Sequence, residues 1–163
     1  MFRNDRNRGS GFNAKRAILI ACKDYLFWQT VDWLYDIEAL KKVLPLLQSC
    51  DVLQGVRYET LSFRGVIDRR SDTFYKGVVS IANYLLIRVL FRLPFGHFQN
   101  VTVYPRRLIQ SITLETDRSF TDPECLLKTW WKGATFRQFH VKFLKRQYGR
   151  DSGSTPKAIV DIF

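Results

Sequence analysis

Alternating helix and strand patterns along 163 residues predict an α/β fold with a mainly parallel sheet flanked by helices. Short apolar runs bounded by charge or glycine, Tyr25 to Val31 and Asp51 to Val56, read as buried strands. Stretches with apolar residues at helical spacing separate the strands. No internal repeat or linker divides the chain, and its length suits one domain over residues 1–163 rather than two.

In order, residues 1–12 read as a loop. From Asn13 to Cys22 the apolar Ala14, Ala17, Ile18 and Ala21 recur at helical spacing, with Lys15 and Arg16 opposite. Tyr25 to Val31 is too short and too aromatic for a lone helix, so it reads as a strand buried on both faces. Asp36 suits the N-cap of a helix through Gln48, with Ile37, Leu40, Val43, Leu44 and Leu47 inward. Pro45 predicts a kink or a break there. Asp51 to Val56 is a second strand, ended by Gly55 and Arg57, and the polar residues 58–70 form the best candidate for a mobile loop. The longest helical pattern runs from Thr73 to Leu93. Phe98 to Tyr104 alternates as a strand, Pro105 opens a short helix, and Asp122 to Lys132 is a helix closed by Gly133. Ala134 to Leu144 reads as the last strand, before a basic Gly/Ser-rich loop and a short helix from Pro156.

The net charge of +11 is unevenly spread. Residues 1–16 carry five basic side chains against one acid, and residues 137–150 carry five against none. Such a field favours anionic partners (nucleotide phosphates, nucleic acid or an acidic lipid surface) without choosing between them. Cys22, Cys50 and Cys125 are odd in number and widely spaced. That argues against a disulfide framework or zinc knuckle and fits small buried hydrophobes in a reducing compartment. Met1 to Gly11 is polar and basic with no apolar core, so it does not read as a secretory signal, and the expectation is cytoplasmic.

Gly9-Ser-Gly11-Phe-Asn-Ala14 matches the dinucleotide fingerprint, with Asp32 at a suggestive distance. That fingerprint needs a strand before its first glycine, and only polar, basic residues stand there, so it reads as a false match. Asp32 and Asp36 are four apart. Two carboxylates at a strand end can reach one metal, although a cap is the favoured reading for Asp36 and Asp32 stays open. Trp28 reads as core. Lys76, Ser80, Tyr84, Arg88 and Arg92 recur every four residues as a drifting polar stripe, in a run too interrupted to span a bilayer. An amphipathic helix in a membrane interface and a core helix with snorkelling arginines fit residues 76–93 equally. Asp122-Pro-Glu124 sits at a helix start, where Glu124 is an ordinary first-turn acid or a base. His97 and His140 are isolated, and no P-loop, nucleophile elbow or zinc-deaminase signature occurs.

Taken in order, a set of short stretches resembles the family 2 glycosyltransferases of the GT-A fold, near the polyprenyl-phosphate sugar transferases. They are Asn7-Arg-Gly-Ser-Gly11 with the helix after it, Lys23-Asp-Tyr-Leu-Phe27, Val31-Asp32 and Asp51-Val-Leu-Gln-Gly-Val-Arg57. Further on come Arg70-Ser71, Ser80 to Asn83, Tyr104-Pro-Arg-Arg107, Glu124 with Gly133, and Arg146-Gln-Tyr-Gly149. Order and spacing carry the resemblance over nearly the whole chain.

The resemblance implies a partial GT-A fold, the C-terminal two-thirds of a catalytic domain without the opening strand and helix that grip base and ribose. It implies metal-assisted transfer of a sugar from a nucleotide-diphosphate donor to a lipid-phosphate or hydroxyl acceptor. Thr30-Val31-Asp32 stands where the family has Asp-x-Asp, so only the second acid remains and Asp32 is the implied ligand of a divalent metal, Mg or Mn. Arg57 and Arg70 resemble the basic residues near the diphosphate or acceptor phosphate. Glu124 resembles the acid that acts as base or orients the acceptor, and Arg146 with Gly149 the mobile basic loop. His97 and the Gln-Asn-Val-Thr after it depart from the family pattern. Residues 76–93 would dock peripherally on the inner face of a membrane carrying the acceptor. One rival is a non-catalytic membrane- or partner-binding remnant. A weaker one is a basic nucleic-acid module, supported only by charge with interleaved aromatics, and no specific nucleic acid is expected.

Overall fold

Gly9 starts the first helix by a conformation few other residues adopt. Its φ of 88° and ψ of 163° belong to glycine, and an added Cβ would lie 2.8 Å from the Asp117 carbonyl oxygen. That same carbonyl accepts the Phe12 N–H at 3.2 Å, satisfying one of the orphan donors at the start of α1, Ser10–Ile20. The helix begins three residues before its expected start at Asn13, so residues 10–12 are helix rather than loop. At its other end the Gln110 amide donates to the carbonyls of Ile18 and Ala21, at 2.8 and 3.1 Å. The computed structural model describes residues 4–29, 36, 38–56, 85–95, 98, 101–117 and 120–141.

Strand β1 is Tyr25–Leu26 alone, which corrects the expected strand from Tyr25 buried on both faces: residues 27–29 have left the ladder, and Tyr25 and Phe27 are exposed. The Asp36 carboxylate accepts the Glu38 N–H at 3.0 Å, as a cap should, and α2 runs Glu38–Val43. Pro45 breaks it as expected: the chain tightens into a 3₁₀ helix, Leu44–Gln48. Strand β2, Val52–Val56, is buried at every position. Residues 85–91 form the described part of α3. It ends with Arg92 at φ 49°, and the Leu93 N–H reaches back to the Arg88 carbonyl at 3.2 Å. That six-to-one bond around a left-handed residue is the Schellman closure, and Leu93 is buried beneath it. Then come β3, Thr102–Pro105, α4, Arg106–Gln110, α5, Thr121–Trp131, and β4, Phe136–His140.

The strands order β1-β3-β2-β4. Among the described strands, both neighbours of β3 pair with it antiparallel, and only β2 and β4 pair parallel. The expectation of a mainly parallel sheet is therefore corrected: among the described residues the sheet is mixed, with two of its three pairings antiparallel. Hydrophobic periodicity marks a strand but not its direction. Direction is set by which end of the sheet the chain re-enters, and β3 enters opposite to the other three.

The sheet is a wall between two apolar clusters, because successive side chains of a strand point to opposite faces. Val52 and Tyr104 face a cluster with Ile18, Phe95, Ile109 and Leu126. Leu53 and Val103 face another with Leu40, Val101, Phe139 and Val141. Burial of each such side chain stabilises the fold by about 1.5–3 kcal/mol. Gly55, expected with Arg57 to end β2, lies inside it, where an added Cβ would stand 2.5 Å from Val141 Cγ2 and 3.0 Å from the Val101 carbonyl oxygen, so the position suits glycine. The expected loop at 58–70, residues 73–84 of the long helical pattern and the C-terminal helix lie outside the described residues.

Candidate functional site

Since β3 alone of the four described strands runs in reverse, the carboxyl ends of β1, β2 and β4 lie along one edge of the sheet. The amino end of β3 shares that edge. Its described rim is Phe27 to Gln29, Gly55 and Val56, Val101 and Thr102, and His140 with Val141. In open α/β sheets, ligands bind outside such carboxyl ends.

The exit from β1 is held firmly. Trp28 stacks on Tyr104, with ring centroids 5.5 Å apart and planes 11° from parallel. Its indole Nε1 donates to Asp122 Oδ1 at 2.8 Å. Burial pushes the Asp122 carboxyl above its ordinary range, and the Trp28 hydrogen bond only partly offsets this. Asp122 thus ties the first turn of α5 to the segment that leads into Thr30-Val31-Asp32. Sequence reading placed Trp28 in the core but missed this partnership, which joins residues 94 apart and leaves no local signal.

Glu124, two residues on, has the opposite setting. Its Oε1 accepts the Glu115 N–H at 2.8 Å and faces Lys128 Nζ at 2.7 Å. Its Oε2 accepts the Thr116 N–H at 3.0 Å and the Thr116 hydroxyl at 2.6 Å. Burial alone would raise its pKa, but Lys128, Thr116 and the two backbone donors outweigh burial and hold it at about 2. Four donors fill the roughly four lone-pair sites of a carboxylate. Lys128 completes the knot by donating to the Thr113 carbonyl at 2.7 Å and Glu115 Oε1 at 3.2 Å. The geometry is that of a brace fixing segment 113–117 against α5. The i, i+4 spacing of Glu124 and Lys128 was the available sequence signal for it.

Across the rim, the Gln138 amide donates to Gln54 Oε1 at 2.8 Å, joining β4 to the fully buried Gln54 of β2. Asp32, Arg57, Arg70 and Arg146 lie outside the described residues. Arg57 is nonetheless the next residue in the chain after the carboxyl end of β2, and Asp32 follows that of β1 by six. Among the described residues no group of three or more His, Cys, Asp or Glu side chains is placed to hold a metal. Among the described residues, no helix is long and apolar enough to cross a membrane. Comparison with protein-family models, with curated proteins and with solved structures gave no match for this chain.

Proposed function

We propose that this chain is glycosyltransferase-like, its sheet edge binding the diphosphate of a nucleotide-sugar donor for transfer to a lipid-phosphate or hydroxyl acceptor. The observation that carries this reading is the shared carboxyl edge of β1, β2 and β4. The segments holding Asp32, Arg57 and Arg146 continue in the sequence from those three ends. Cationic side chains gathered at a strand-end crevice can stabilise a leaving diphosphate, which is the main electrostatic demand of such a transfer. In this reading Asp32 takes the divalent cation, Mg or Mn, and Arg57, Arg70 and Arg146 take phosphate charge. Glu124 acts by position, holding residues 115 and 116 rather than exchanging a proton.

Thermal unfolding of the full chain, with manganese and a panel of UDP- and GDP-sugars, tests the reading. The expected result is a rise in Tm with metal and one donor together, absent with either alone. At a donor concentration of about 100 times Kd the stabilisation is about 2.7 kcal/mol. Asp32→Asn should abolish it. No shift with any donor, or a shift that Asp32→Asn leaves intact, overturns the assignment.

A further inference from the structure

Two arginines stand side by side where β3 gives way to α4, and the fold treats them differently. Arg107 is exposed, whereas Arg106 is partly buried, with its Nε enclosed and without a hydrogen-bond partner. Among the described residues, no carboxylate comes within ion-pair distance of Arg106 and no hydrogen bond reaches its guanidinium. A guanidinium keeps its charge at every pH the fold meets and offers a planar fork of donors. Enclosing part of that fork with nothing in return is unfavourable, so the group calls for a partner from outside the fold. Only Nε is enclosed, which leaves the two terminal nitrogens to meet that partner.

The surroundings say what kind of partner fits. Pro105 pairs with Tyr25, and the Arg106 N–H donates to the Asp24 carbonyl at 2.8 Å. Gln110, one turn along α4 on the same face, donates to the Ile18 and Ala21 carbonyls at the end of α1. That face of α4 therefore turns toward the connection from α1 to β1. It lies at the amino end of β1, the opposite end of the strands from the rim described above. Lys23 and Arg107, both exposed, adjoin it in the chain. Asp24 is the one acid within residues 21–26 and 105–110, and among the described residues its carboxylate makes no ion pair. Cations thus outnumber acids there, which suits a phosphate dianion better than a single carboxylate.

We infer that Arg106 is the fork of a phosphate site at the amino end of β1, its terminal nitrogens taking two oxygens of one phosphate group, with Lys23 and Arg107 at its border. The site is separate from the rim and stands without the donor reading. In the sequence nothing set Arg106 apart from Arg107, since the difference between them is burial.

Titration of the full chain with inorganic phosphate, followed by NMR of the arginine side chains, is the experiment. The Arg106 Nε signal, assigned through its backbone, should shift saturably. Sulfate should compete, and chloride at equal ionic strength should not. Arg106→Lys keeps the charge but loses the fork, and should weaken phosphate binding about tenfold. Asp24→Asn should tighten it. Arg57→Gln should leave the Arg106 shift in place, which separates this site from phosphate taken at the rim. Glycerol phosphate identifies the source, and either result supports the site: equal binding means that it takes a phosphate ester, and exclusion of the ester means that it takes the free ion. An Arg106 signal that phosphate leaves unmoved, a shift that chloride reproduces, or undiminished binding in Arg106→Lys overturns the inference. The wild-type titration decides even where the lysine variant fails to fold.

Discussion

Asp122 and Glu124 stand two residues apart in the first turn of α5, and their carboxyl groups are perturbed in opposite directions. Glu124 lies below its ordinary 4.5, at about 2, so the folded state gains from its ionisation. That contribution is fully present above the unfolded pKa and is lost as pH falls from there through about 2. Glu124→Gln should therefore cost roughly 3 kcal/mol at neutral pH. In urea titrations, wild type and variant should converge near pH 2. Asp122 runs the other way: its folded pKa is raised, so wild type carries a penalty at neutral pH that fades as pH falls through the folded value. Asp122→Asn keeps an acceptor for Trp28 Nε1 and should leave stability unchanged or raise it, by up to about 1 kcal/mol. The gain should vanish below the ordinary carboxylate pKa of 3.8. A loss of more than about 1 kcal/mol in Asp122→Asn would mean that the ionised carboxylate is itself the needed partner. The sequence showed both acids as first-turn residues. It could not show their opposite settings, because those depend on Trp28 and Thr116, which reach them only through the tertiary fold.

The elements were legible to the extent that local chemistry fixes them. Asp36 as cap, Pro45 as break and Gly133 as the close of α5 all stand, since each acts within a few residues. The start of α1 did not follow from apolar spacing because it depends on Asp117, more than a hundred residues away. Gly9→Ala should accordingly be severe, losing a glycine-only conformation and colliding with that carbonyl, at roughly 2–3 kcal/mol. Gly133→Ala meets nothing within 4 Å and should cost only the left-handed backbone, about 1 kcal/mol. Urea midpoints of the two variants should rank in that order. The parallel pair β2–β4 has its own fastening at its start. Asp51 Oδ2 accepts the Thr135 N–H at 2.8 Å and its hydroxyl at 2.7 Å, which hold the Asp51 pKa down. Asp51→Ala leaves that amide without its acceptor, so hydrogen exchange at Thr135 should quicken about tenfold, equivalent to roughly 1.4 kcal/mol. The protection is present above the ordinary aspartate pKa of 3.8 and should be lost as pH falls below it.

For the molecule as a whole, alternating patterns revealed that strands and helices share a core, but strand direction and the division of that core into two faces came only from the assembled sheet. Whether those faces unfold together is open to direct measurement, because each holds one buried cysteine. Cys125 lies in the cluster with Tyr104 and Cys50 in the cluster with Leu53. Cys22 is exposed, and the three thiols are free. Burial pushes the Cys50 and Cys125 thiols up, which suppresses their thiolates further while the fold is intact. Adjacent strands carry side chains to both faces: Val52 and Leu53 on β2, Val103 and Tyr104 on β3. Neither cluster can therefore separate without opening backbone ladders that the other also needs. With a thiol reagent in native buffer, Cys22 should react first and the other two hardly at all. In increasing urea, Cys50 and Cys125 should become reactive at one midpoint, the midpoint of the circular dichroism transition. Exposure of Cys50 at distinctly lower urea would mean that α2 and the 3₁₀ turn peel from the sheet as a separate unit, and that the sheet does not couple its two faces.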